Sequence, residues 1–189
     1  MTKQNASSQE GFSLLEAMIA MTILTVALMA LAQVLYAGLN IASTSTPNLV
    51  AREKAREAVE SVHTARDTFT ILWAEIRNVN APANCPAGTT AAGGGEFENG
   101  EIDLLEHGPD GLVNTADDVG EEMTPGPDNI LGTADDTPLV GYTRQIDICD
   151  VDGSPDLRQI TVTIGYDGSA AFGQRRRQYR LTTLISRFS

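Results

Sequence analysis

Two groups of residues in this 189-residue sequence have the types and spacing to do chemistry. The first is an acidic repeat. Gly108-Pro-Asp-Gly-Leu-Val-Asn-Thr-Ala-Asp-Asp118 returns as Gly126-Pro-Asp-Asn-Ile-Leu-Gly-Thr-Ala-Asp-Asp136, with 7 of 11 positions identical and a period of 18 residues. Hard cations such as Ca²⁺ take about six to eight oxygen ligands, mixing carboxylates with carbonyls, and Gly and Pro turns can gather them. The pattern nominates Asp110, Asn114, Asp117, Asp118, Asp128, Asp135 and Asp136 as Ca²⁺ ligands. The spacing is not that of an EF-hand, and a solvated loop duplicated by slippage is the plain alternative. Asp150-Val-Asp-Gly-Ser-Pro-Asp156 reads as a β-turn, with Asp and Gly in turn positions, and joining a cation site is its alternative.

The second group is a lone carboxylate. Glu16 stands near the start of an apolar run, and no charged residue follows it from Ala17 to Ala51. An ionisable group in a membrane-length segment is costly and is functional by default.

The remaining charge narrows the function. Formal net charge is −12. Glu96 to Asp156 holds 17 acidic residues and one basic residue, Arg144, a net of −16 that leaves +4 for the rest. Nucleic-acid binding rewards clustered Lys and Arg, so this polarity argues against it. His63 and His107 have no matching nucleophile, no phosphate loop or zinc spacing occurs, and an enzyme is not expected. Arg175-Arg176-Arg177 reads as a solvated turn, with an acidic face of a neighbouring subunit as the alternative. Two cysteines, Cys85 and Cys149, form no CxxC motif, and in an exported domain they read as one disulfide.

The element that positions Glu16 is the run from Ala17 to about Leu39, rich in Ala, Leu, Met, Ile and Val. About 20 helical residues cross a bilayer core, so it is long enough to span. A cleaved signal peptide would find small-x-small residues at Ala30-Leu31-Ala32. However, its leader would hold one basic side chain, Lys3, beside Glu10 and Glu16. A plain anchor gains little orientation from Arg52, Lys54 and Arg56, which are mixed with Glu53 and Glu57. Neither reading explains Glu16.

Gly11-Phe12-Ser13-Leu14-Leu15-Glu16, followed by the long apolar helix, resembles the processing site of type IV pilins and pseudopilins. The resemblance implies that prepilin peptidase cuts after Gly11, that Phe12 becomes an N-methylated terminus, and that Glu16 serves assembly. It implies other pilin or pseudopilin subunits, prepilin peptidase and an inner-membrane assembly platform as partners, with membrane lipid before assembly. Localisation would be a single pass through the inner membrane with a periplasmic head, then a pilus or pseudopilus. The leader departs from the family in being weakly basic. The rival is a membrane-tethered calcium-binding or adhesion module that does not polymerise.

Beyond Pro47 an apolar stripe at three- and four-residue spacing (Val50, Ala55, Ala58, Val59, Val62, Phe69, Leu72, Trp73, Ile76) predicts an amphipathic helix to about Val79. Pro47 should kink or interrupt the helix at the junction. Asn80 to Gly95 reads as loop. Strands are expected at Glu101–Glu106, Leu139–Cys149, Leu157–Tyr166 and Gln178–Phe188, the last three as an antiparallel meander with turns at Asp150–Asp156 and Asp167–Gln174. The expected organisation is a leader (1–11), an apolar assembly helix (12–46), an amphipathic helix (47–79) and a β-sheet head (80–189) with the repeat loop at 108–137. The fold class is α+β: one long N-terminal helix, spanning in its first half, packed on an antiparallel sheet of three to four strands. The meander resembles minor pilins and pseudopilins of the PilV type more than a major pilin.

Overall fold

The apolar run and the amphipathic stripe form one helix, α1, from Leu14 to Asp67. The computed structural model describes residues 14–167 and 176–188. Pro47 lies inside α1 rather than ending it. Its missing N–H costs one hydrogen bond, which a helix of 54 residues tolerates. The chain divides into two units, Met1–Ser43 and Thr44–Ser189.

In the first unit, the 26 residues Leu14–Leu39 form a helix long and apolar enough to cross a membrane, with none of its residues buried in the structure.

In the second unit, the described residues that follow the helix form β1 (Thr89–Ala91), β2 (Ile102–Asp103), β3 (Leu105–Glu106), β4 (Val119–Glu121), β5 (Met123–Thr124), β6 (Thr137–Pro138), β7 (Thr143–Val151), β8 (Leu157–Asp167) and β9 (Arg176–Ser186). The expected α+β fold is present. The main sheet runs β1-β7-β8-β9, and β2 also pairs with β7. Both short strands are antiparallel to β7, so β7 carries β1 at one end and β2 at the other. The sheet thus has five strands rather than three or four, because β1 forms within a segment that composition marks as loop. The turn expected between β8 and β9, with Arg175, lies outside the described residues.

Ala51, Ala55, Ala58, Val62 and Ala65 recur at steps of four and three along α1. They share one core with Ile146, Ile148, Ile160, Val162, Ile164, Tyr166 and Ile185 of the sheet. Alanine on that stripe lets the helix backbone approach closely, and branched side chains of the sheet fill the space between.

The helix stops 12 residues before the expected Val79, and the reason is local. Phe69 takes a left-handed φ of 57°. Its N–H donates to Arg66 O at 3.2 Å, and Thr70 N–H donates to Ala65 O at 3.0 Å. These are the two bonds of a Schellman motif, which ends a helix. Of the remaining stripe, Ile76 is buried, but Phe69 and Leu72 are exposed rather than in the core. The chain after the helix is held by Arg158, whose guanidinium lies 4.3 Å from the Trp73 ring and donates to Ile76 O at 2.9 Å and Asp150 Oδ1 at 2.8 Å.

Between β2 and β1, the exposed backbone of β7 meets a side chain instead of a strand. Asn78 donates from Nδ2 to Ile146 O at 2.7 Å and accepts at Oδ1 from Ile148 N at 2.9 Å. A buried amide is isosteric with a peptide unit in this role, satisfying one donor and one acceptor that would otherwise stay unpaired. Cys85 and Cys149 form the expected disulfide, with Cα atoms 5.8 Å apart. Cys149 also faces Ala91 of β1, so bridge and strand together pin the 80–95 segment to β7. Closing a loop with a sequence separation of 64 residues stabilises by about 4 kcal/mol in the chain-entropy account.

Candidate functional site

The acidic repeat proves to be a duplicated structural unit. Each copy is a two-stranded hairpin carrying one acidic loop: β3 pairs with β4 around the first, β5 with β6 around the second. The two loops share one hydrogen-bond scheme at the 18-residue offset. Asp110 Oδ1 accepts from Leu112 N at 2.7 Å, and Asp128 Oδ1 from Ile130 N at 2.9 Å. Thr115 Oγ1 donates to Asp117 Oδ1 at 2.8 Å, and Thr133 Oγ1 to Asp135 Oδ1 at 2.6 Å. Asp118 Oδ2 accepts from Asn114 N at 2.6 Å, and Asp136 Oδ2 from Gly132 N at 2.6 Å.

The differences between the copies preserve the backbone. Position 111 is Gly and its counterpart 129 is Asn, with φ of 73° and 58°. Position 114 is Asn and its counterpart 132 is Gly, with φ of 69° and 88°. Gly and Asn are the residues that enter the left-handed region most readily. The invariant Gly108 and Gly126 have another cause: a Cβ at either would run into the carboxylate of Asp117 or Asp135.

Each of the six repeat aspartates thus accepts amide or hydroxyl hydrogens of its own loop. The Thr115 and Thr133 hydroxyls hold Asp117 and Asp135 below the usual carboxylate range. Asn114 donates its side-chain amide to Glu98 O at 2.9 Å. The structure brings the seven nominated ligands together as two separate loops. Among the described residues, no group of three or more His, Cys, Asp or Glu side chains is arranged to hold a metal ion.

One loop is tied to the core by a charge network that spacing alone does not reveal. Arg144 of β7 is fully buried. It donates to Asp118 Oδ2 at 3.3 Å and to Leu105 O at 3.2 Å, and lies 3.7 Å from Glu122 Oε2. Glu122, at the join of the hairpins, pairs with Lys54 of α1, which also reaches Glu57 at 2.8 Å. Burial pushes the Glu122 carboxyl up, against the opposing pull of Lys54. Burial likewise pulls Arg144 down, against the carboxylates facing it. The signal for Arg144 was present in the sequence: it is the one basic residue among 17 acids between Glu96 and Asp156.

Of the N-terminal residues, Gly11 and Phe12 lie outside the described residues. Glu16 lies in the first turn of α1, on the exposed surface of the apolar span. A carboxylate near a helix N-terminus is favoured by the helix dipole.

The comparisons fall on this segment. Residues 6–32 match the family model of the prokaryotic N-terminal methylation motif. That motif is the type IV pilin-family signature, so the chain is pilin-like in the segment that carries processing and assembly in that family. No curated protein and no solved structure matches the chain.

Proposed function

We propose that the protein is a non-enzymatic filament subunit, a minor pilin or pseudopilin of a type IV pilus or a type II secretion filament. The observation that carries this reading is the methylation motif at residues 6–32 on a helix whose apolar surface is unburied from Leu14 to Leu39. Prepilin peptidase cuts after Gly11, and Phe12 becomes the methylated terminus. The uncut chain sits once in the inner membrane with Thr44–Ser189 as its periplasmic head. On assembly, the apolar helix exchanges lipid for neighbouring helices. Glu16 then faces the Phe12 amine of a neighbour. A charge in a low-dielectric core is tolerated only with a well-placed partner, so this pair sets the axial register.

N-terminal sequencing of the mature chain, combined with a Glu16→Ala variant, tests the reading. The expected start is Phe12, and the variant should stay membrane-bound yet fail to enter filaments. A start at Met1, with a variant indistinguishable from the parent, would leave a tethered calcium-binding or adhesion module that does not polymerise. A start at Gln33 would mean a cleaved signal peptide.

A further inference from the structure

The two acidic loops have one scaffold and opposite surroundings. In the first loop Leu112 and Val113 are 1% and 2% exposed, and Asp118 is tied to Arg144. In the second, the equivalent Ile130 and Leu131 are 60% and 62% exposed. Asp136 instead accepts from three amides of its own loop, those of Gly126, Gly132 and Thr133. The same hydrogen bonds that seat one aliphatic pair in the core therefore hold the other pair out to solvent. Nothing in that scaffold requires an apolar side chain at 130 or 131, since its bonds run through backbone amides, Asp and Thr.

The last strand of the main sheet offers a surface of matching chemistry. The main sheet ends at β9, so one edge of this 11-residue strand has no strand partner among those described. Open edges of that length are commonly protected by charge or covered by another chain. Residues 175–187 hold five arginines and no acid, while the second loop, 126–136, holds three aspartates and no base. Arg177 and Arg180 are exposed and have no ion-pair partner among the described residues. Leu184, four residues beyond Arg180, lies on the same face of β9 and is exposed.

We propose that the second acidic loop of one copy docks on β9 of a second copy. Ile130 and Leu131 cover Leu184, and Asp128 and Asp135 face Arg180. A second copy is the occupant because the chain carries both complementary surfaces and leaves both open. The proposal rests on the assembly reading, which brings copies side by side. A contact of this small area suffices there, because copies already joined by their helices meet at high effective concentration.

Cysteine cross-linking of the full-length chain in membranes and in filaments tests it. Leu131→Cys and Leu184→Cys are introduced on separate co-expressed copies, and dimers are read on non-reducing gels after mild oxidation. Leu131→Cys with Leu72→Cys, another exposed leucine, is the reference pair. We expect at least about five-fold more dimer from 131–184 than from 131–72, in line with a local contact. Arg180→Asp should abolish the excess, and Arg180→Lys, which keeps the charge, should retain it. Equal dimer from both pairs, cross-links only to other proteins, or an excess that survives Arg180→Asp would overturn the proposal. Filaments without the 131–184 cross-link refute the docking alone. A mature chain that does not start at Phe12 refutes the assembly reading, and the membrane-embedded chains still decide the docking.

Discussion

Phe69 occupies the position at the end of α1 where a helix most often places glycine. It is 82% exposed, so its ring gains little from burial, while its backbone sits at a φ of 57°. A left-handed conformation costs a non-glycine residue about 1–2 kcal/mol. Glycine removes that cost but gives the unfolded chain more freedom, offsetting about 0.4–1 kcal/mol. Phe69→Gly should therefore stabilise the head by about 0.5–1 kcal/mol, read from denaturant midpoints of the full chain. A loss of stability would mean that the ring makes contacts beyond those of the Schellman turn. The stripe Phe69, Leu72, Trp73, Ile76 continues the helical spacing of the residues before it, and for that reason the sequence reads as helix through Val79. The termination was hidden because the capping residue is neither Gly nor Asn. Cys85 and Cys149 show the opposite case: with two cysteines in the chain, their pairing was readable from composition.

The hairpins carrying the acidic loops were half visible. The 18-residue period announced two equal units, but clustered Asp does not reveal whether carboxylates turn toward a cation or toward amides. Here the Asp110, Asp117 and Asp118 set, and its copy at 128, 135 and 136, closes each loop on its own N–H and O–H groups. Hydrogen bonds to a carboxylate are among the stronger ones. These bonds can close each loop by themselves, and on that basis EDTA should leave the melting temperature unchanged. A fall in melting temperature with EDTA, reversed by added Ca²⁺, would instead support the calcium reading. The same loops should be intolerant at their glycines. Gly108→Ala presses a Cβ into Asp117 where the loop is already packed in the core, and should lower stability more than Gly126→Ala, whose loop is exposed. Paired thermal melts measure the difference, and equal losses would count against it.

The head's stability as a function of pH combines these local facts. Asp117 and Asp135 are held below their ordinary 3.8 by the threonine hydroxyls. Their contribution is present above 3.8 and is lost as pH falls through the lowered values. Glu122 has the opposite sign. Burial raises its carboxyl above 4.5, with Lys54 opposing, so the folded chain holds that proton more tightly than the unfolded one. Its contribution is complete below 4.5 and fades as pH rises through the raised value. Stability should climb through the range of the two aspartates and then decline through that of Glu122. Glutamine at 122 cannot titrate, so Glu122→Gln should keep the climb and lose the decline, whatever its offset from the lost pairing with Lys54. Thermal melts of parent and variant, taken in steps from acid to neutral pH, give the comparison. A decline of equal slope in both would place its origin elsewhere among the carboxylates. Glu122 sits one period from Leu104, so duplication put a carboxylate where the first unit buries an aliphatic side chain. Lys54 from the helix and Arg144 from the sheet meet it there. Three distant segments thus converge on one buried charge, a convergence that follows from the fold and could not be read from local pattern.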